Sequence, residues 1–224
     1  MLLEYEGFQV SWTGHDGFRI VGSDNHNRQR IIYIDPYQLS NKYQSKNDAD
    51  IVLVSHDHFD HMSIDDLRQI INDDTSIIAA KECVEKLKEL KMYDVKGIKP
   101  GEKIIAKDLS IEAVHAYNTN KKFHPKSDDK VGFVISITNN RIYHAGDTDL
   151  IPEMESIRPD IAFVPVSGTY VMNAEEAAKA VNELLRPKKI ALPMHYGSIV
   201  GTEADAKKFK NLVLICRVEI LPRN

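Results

Sequence analysis

The chain has 224 residues, 42% hydrophobic and 8% aromatic, enough to bury a substantial core as one domain over residues 1–224. A net charge of −4, from 29 Lys and Arg scattered among 33 Asp and Glu, leaves no electrostatic footprint for nucleic acid or an anionic membrane face. Cys83 and Cys216 lie far apart without metal-knuckle spacing, no apolar run approaches about 18 residues, and Met1 to Glu6 lacks a basic leader, so the sequence predicts a cytoplasmic protein without disulfides or membrane insertion.

In chain order, Gly7 to Trp12, Phe18 to Val21 and Arg30 to Asp35 read as meander strands broken by glycines and the polar turn Asp24 to Asn27. Ile51 to Val54 is a wholly apolar strand. It runs straight into Ser55-His56-Asp57-His58-Phe59-Asp60-His61. Ser63-Ile64-Asp65-Asp66 then has a helix-capping pattern, and Ile64, Leu67, Ile70 and Ile71 recur at helical spacing. A strand over Ser76 to Ala80, a helix over Cys83 to Lys91 and a strand over Ser110 to Ala116 follow. Gly132 to Thr138 and Arg141 to Ala145 read as a hairpin turning at Asn139-Asn140, ahead of the loop Gly146-Asp147-Thr148-Asp149. The pattern continues with a strand over Asp160 to Pro165, a helix from an Asn173 cap to about Leu185 and a strand over Lys189 to Pro193 ending at Met194-His195. A helix capped at Thr202 and a closing strand over Val213 to Leu221 complete the reading: two packed α/β halves with no linker between them.

Three imidazoles and two carboxylates within seven residues of a buried strand end point to a metal site. His56 and His58, at alternate positions of extended chain, place both rings on one side, where two nitrogens can converge on one ion at roughly 2.0–2.1 Å. Asp60 and His61 continue toward a neighbouring position, which predicts two adjacent ions at the roughly 3.5–4 Å used by hydrolytic two-metal sites. Asp147, with two oxygens on a strand-end loop, is the natural bridge, and His195 can complete the second ion. Two divalent ions are expected, zinc first and manganese as the rival, because the same nitrogen and oxygen donors accept either. No Gly-x-Ser-x-Gly element offers a covalent serine route.

The quartet His56, His58, Asp60 and His61 resembles the His-x-His-x-Asp-His signature of the metallo-β-lactamase superfamily. Tyr143-His144-Ala145-Gly146-Asp147-Thr148 and Pro193-Met194-His195-Tyr196-Gly197 resemble its later ligand strands. Gly14-His15-Asp16-Gly17-Phe18, Ile34-Asp35-Pro36 and Gly168-Thr169-Tyr170-Val171-Met172 are similar to the hydrolases grouped with ascorbate-6-phosphate lactonase and, more distantly, N-acylphosphatidylethanolamine phospholipase D. The resemblance implies an α/β fold of four layers, an αββα sandwich of two mixed sheets with the site on one edge. It also implies a third histidine for the first ion from the region before Asp147, and both His115, at a strand end, and His124, in a His-Pro-Lys element, stand there. Asp35 would hydrogen-bond a ligating imidazole from behind. His15 either reaches the active edge from a hairpin or is an ordinary turn residue.

Lys121, Lys122 and Lys126 either overhang the site and favour a phosphate or carboxylate or form a solvated loop. Thr169 and Tyr170 offer further substrate contacts. The expected activity is hydrolysis of a small anionic ester, a lactone or a phosphodiester, by a metal-bound hydroxide, with Asp60 as acid/base. The alternatives are a di-iron redox site and a non-catalytic metal-binding or sensing module. A homo-oligomer is compatible with the sequence.

Overall fold

The computed structural model describes residues 2–224. The first sheet takes its strands in chain order: β1 (Leu3–Tyr5), β2 (Phe8–Gly14), β3 (Gly17–Ser23), β4 (Gln29–Ile34), β5 (Ile51–Val54), β6 (Ser76–Ala80) and β7 (Val95–Ile98). Its first four strands are an antiparallel meander and its last four run parallel. The second sheet repeats this plan with β8 (Lys103–Ala106), β9 (Leu109–His115), β10 (Val131–Ile137), β11 (Asn140–His144), β12 (Ile161–Pro165), β13 (Ile190–Met194) and β14 (Arg217–Val218). Here β8 to β11 are antiparallel and β11 to β14 parallel.

Both sheets are mixed, as the resemblance implied, and helices flank them: α1 (Ile64–Ile70), α2 (Val84–Leu87), α3 (Ala174–Lys179) and α4 (Glu203–Leu212). Their inner faces meet in one hydrophobic cluster, in which Phe18 of β3 stacks on Phe163 of β12 with ring centroids 4.1 Å apart. Both β5 and β12 are buried along their whole length, which is why each reads as an unbroken apolar run. Parallel strands end their carboxyl termini on one side of a sheet, and the crevice beyond those ends is where such sheets bind ligands. β4, β5, β11 and β13 each deliver a polar side chain there: Asp35, His56, Asp147 and His195. None of the helices is long and apolar enough to cross a membrane among the described residues.

Several element boundaries differ from the sequence reading. β1, β7 and β8 carried no alternating apolar signal; β1 is three residues long, and β7 and β8 are short strands with lysines. The Cys83 to Lys91 helix is α2 with a 3-10 turn on either side, ending at left-handed Lys91. The helix capped by Asn173 is regular only to Lys179 and finishes as a π-helical turn over Ala180–Leu185. The β10–β11 turn sits one residue earlier than expected, with Thr138 and Asn139 both at positive φ. The closing strand shrinks to Arg217–Val218 because the Asn182 side chain holds the preceding segment against α3's continuation, accepting from Leu214 N at 2.9 Å and donating to Leu212 O at 3.0 Å.

Candidate metal centre

At the end of β5 the Asp35 carboxylate organises the ligand loop. It accepts from Ser55 N at 2.8 Å and from the Ser55 hydroxyl, and its other contact is His61 Nδ1 at 2.9 Å. With Nδ1 thus committed, His61 turns Nε2 inward, where it has no hydrogen-bond partner despite full burial. Ser55 Oγ likewise lies 3.0 Å from His56 Nδ1, which leaves His56 Nε2 facing His58 Nδ1 at 3.1 Å. The third nitrogen of this group belongs to His124, whose Nε2 is 3.1 Å from the same His58 Nδ1. Donors each about 2.0–2.1 Å from a common ion lie at most about 4.2 Å apart, so these three nitrogens fit one ion.

His115 is not part of the group. It ends β9 paired with Val131, and its ring lies against Tyr117 at a centroid separation of 6.1 Å. The chain between the two histidines is carried to the site by hydrogen bonds: Tyr117 N donates to Thr148 Oγ1 at 3.2 Å, Thr119 N to Asp149 Oδ2 at 2.7 Å, and Asn118 N to His124 O at 2.7 Å.

A second group lies beside the first. Gly146, at φ +61°, turns the chain so that Asp147 follows; a Cβ there would meet Val131 O at 2.8 Å. Asp147 Oδ1 is 3.4 Å from His61 Nε2 and 3.3 Å from His195 Nε2, while its Oδ2 is 3.8 Å from His124 Nδ1, so one carboxylate faces both groups. Ser167 Oγ contacts His195 Nδ1 at 2.9 Å and leaves Nε2 inward and unpartnered. Asp60 joins through Oδ2, 3.9 Å from His61 Nε2 and 3.0 Å from His15 Nε2. His15, buried and at positive φ in the β2–β3 turn, therefore does reach this edge, and its carbonyl accepts from His195 N at 3.1 Å.

Electrostatics separates the groups. Burial lowers the pKa of His56, His58 and His124, the last to about 4, so all three imidazoles are neutral at pH 7. In the second group burial again opposes charge, but the Asp147 carboxylate raises His61 and His195, and these imidazoles hold Asp147 well below the usual carboxylate range. Burial likewise opposes ionisation of Asp60, yet the hydrogen bond with His15 leaves its pKa lowered.

One member of this neighbourhood was missed in the sequence. Asp16 is completely buried, neither of its carboxylate oxygens has a hydrogen-bond partner, and Oδ2 is 3.8 Å from His61 Nδ1. Burial pushes its pKa well up. The β2–β3 turn that holds it is anchored by His144 Nε2 against Asp16 O at 2.9 Å, so His144 packs behind the site rather than entering it. Ser55 and Ser167 were also missed: a lone serine carries no spacing signal, and Ser167 stands 28 residues from the histidine it contacts.

Three of the buried atoms without partners, His61 Nε2, His195 Nε2 and Asp147 Oδ1, converge from three separate segments. Unpaired buried donors and acceptors are costly and rare, and imidazole with carboxylate is a donor set that divalent transition ions take, so these residues fit metal. Two histidine-carboxylate groups, His15/Asp60/His61/His195 and Asp16/His61/Asp147/His195, and the trio His56/His58/His124 each bring their ligand atoms within 4.8 Å of one another.

The proposed substrate contacts fare unevenly. Lys126 points away to Glu153 at 2.7 Å, and Lys121 pairs with Asp149. Thr169 is exposed and does not line the cleft. Tyr170 does line it, together with Phe59, Phe123, Ile199 and Lys86, in a cleft of about 410 Å³ above His58, Asp60, His124 and Asp147. A second cavity of about 430 Å³ lies against β1 to β3 and contains no histidine.

A mixed two-sheet sandwich with imidazoles and carboxylates at its parallel strand ends is the architecture of the beta-lactamase superfamily domain, whose family model matches residues 9–195, and the chain belongs to that superfamily. A UPF0173 metal-dependent hydrolase of Thermoplasma volcanium is 33% identical over 212 residues, covering 91% of this chain and 90% of the relative. The chain is thus a member of this family of metal-dependent hydrolases. A crystal structure from Parabacteroides distasonis superposes with a TM-score of 0.82 at 28% identity, covering 98% of this chain and 97% of the other. Igni18, a metallo hydrolase from the archaeon Ignicoccus hospitalis, gives a TM-score of 0.75 at 25% identity over 96% and 95% of the two chains.

Proposed function

We propose that this hydrolase cleaves a small ester, a lactone or a phosphodiester, using two divalent ions, zinc or manganese. His56, His58 and His124 would hold one ion, Asp60, His61 and His195 the other, and Asp147 would stand between them. When bound, such ions make water acidic enough to ionise near neutral pH and polarise the scissile carbonyl or phosphoryl oxygen. Asp60 supplies the proton chemistry. Its Oδ2 is fixed by His15 at 3.0 Å, and the carboxylate stays ionised and ready to accept a proton. His15 is a positioning residue: it aims Asp60 without lining the cleft. The anionic preference expected of the substrate would come from the ions, since Lys121 and Lys126 are occupied by Asp149 and Glu153. The scattered basic residues and net charge of −4 support a small molecule over nucleic acid.

The observation that carries this reading is the convergence of unpartnered, buried ligand atoms on Asp147. Metal analysis and a substrate screen test it. Protein loaded with zinc or manganese should hold two equivalents and turn over bis-p-nitrophenyl phosphate or a simple lactone, with activity removed by a chelator. Fully loaded protein that is inert on both classes would overturn it.

A further inference from the structure

Above the ligand groups the cleft wall is apolar where an anion-binding enzyme would place cations. Phe59, Phe123, Tyr170 and Ile199 line it and are 67%, 45%, 42% and 42% exposed. Large apolar side chains left in water around one concave site mark a surface that a ligand covers. These side chains come from four loops, after β5, between β9 and β10, between β12 and α3, and after β13, so no single amphipathic element accounts for their meeting.

The wall is also held in place. Asn118, buried between the loops, donates from Nδ2 to Phe123 O at 2.9 Å and to Tyr170 O at 2.6 Å, and the two rings meet edge to face with centroids 5.4 Å apart. Phe59, on the loop that carries the ligands, packs edge-on against Tyr37 at 5.7 Å. Among the residues lining the cleft the single cation is Lys86, which is paired with Asp57 at 2.6 Å.

We infer that the substrate carries an apolar acyl, alkyl or aryl substituent that lies against Phe59, Phe123, Tyr170 and Ile199 while its ester group sits at the histidine and aspartate groups. This rests on the hydrolase reading and narrows it: a bare sugar phosphate or a short hydrophilic lactone would leave the wall wet. Selectivity among esters then follows the size of the substituent, because apolar contact gains free energy with area removed from water.

A phosphonate series separates the two claims, since its head group engages bound metal and its tail probes the wall without turnover. With zinc-loaded protein, calorimetry should show Kd falling by about tenfold or more from methylphosphonate to phenylphosphonate and octylphosphonate. That gain should shrink in Phe123→Ser and Ile199→Ser and persist in Ile105→Ser, whose side chain is exposed on β8 outside the cleft. Methylphosphonate binding with no gain along the series, or a gain untouched by Phe123→Ser and Ile199→Ser, overturns the apolar wall and leaves the hydrolase reading standing. A steep series from a protein that hydrolyses no ester supports the wall and sinks the choice of reaction.

Discussion

The trio His56, His58 and His124 and the mixed group of Asp60, His61, Asp147 and His195 stand side by side at Asp147, and burial opposes charge on the imidazoles of both but prevails only in the trio. In the trio burial outweighs the opposing pull of the Asp147 carboxylate and the imidazoles are held neutral. In the mixed group the same loss of water is overcome by the opposite charges, so the pKa values of His61 and His195 are raised and that of Asp147 is lowered. Burial therefore does not decide protonation by itself. The number of carboxylates within a few ångströms does. The trio is prepared as a set of neutral nitrogen donors, whereas in the mixed group the carboxylates strengthen the hold of the imidazoles on protons, with which a metal would compete.

The sharpest break in this comparison comes from Asp60, which belongs to the mixed group and also faces the cleft. Asp60→Asn should lower kcat by about 10²–10⁴-fold with metal loaded; a loss below threefold would remove its acid/base role. Next in size is the choice of the trio's third member. His124→Ala should lose the metal equivalent held by the trio, and His115→Ala should retain full content by elemental analysis; the reverse result would reassign the site. Ser55→Ala and Ser167→Ala act at one remove, on His56 with His61 and on His195 respectively. Each should weaken metal affinity by about 10–100-fold in a chelator competition, with Ser55→Ala affecting both equivalents and Ser167→Ala only the second.

The smallest effect is a pH dependence of the metal-free protein. His124 titrates at about 4 when folded against 6.5 as a model group, so as pH falls through 6.5 the unfolded chain takes up a proton that the folded chain refuses, and stability drops until about pH 4. His61, raised in the fold, has the opposite sign: its stabilisation is complete below 6.5 and is lost as pH rises through the folded value. Between pH 7 and 5, His124→Gln should spare the fold about 1–3 kcal/mol of that acid loss, while His61→Gln should deepen it. Chemical denaturation across this range reads both, and variants shifting the profile in one direction would erase the distinction between the groups.

Much of the site was legible because it is local. Four candidate ligands sit within six residues at the end of β5, and chain geometry alone brings alternate positions to one side. His195 follows a strand whose apolar run is equally plain, and Asp147 follows the second strand of a hairpin marked by its Asn-Asn turn. The third histidine was not legible: His115 ends a regular strand, while His124 is reached through an irregular loop whose path is set by Asp149, Thr148 and Asn118, residues that have no periodicity to read. The lysines of the same loop looked like substrate contacts until Glu153 and Asp149 proved to hold two of them.

Composition and spacing by themselves determined the two α/β halves, most of the strands and the ligand-bearing turn, because a buried strand and a capped helix are written in consecutive residues. Only the tertiary structure decided that Asp16 lies buried beside His61, that His124 closes the trio and that aromatic rings wall the cleft. Those outcomes depend on hydrogen bonds and contacts between segments tens of residues apart, and their energies exist only once the chain has brought the segments together.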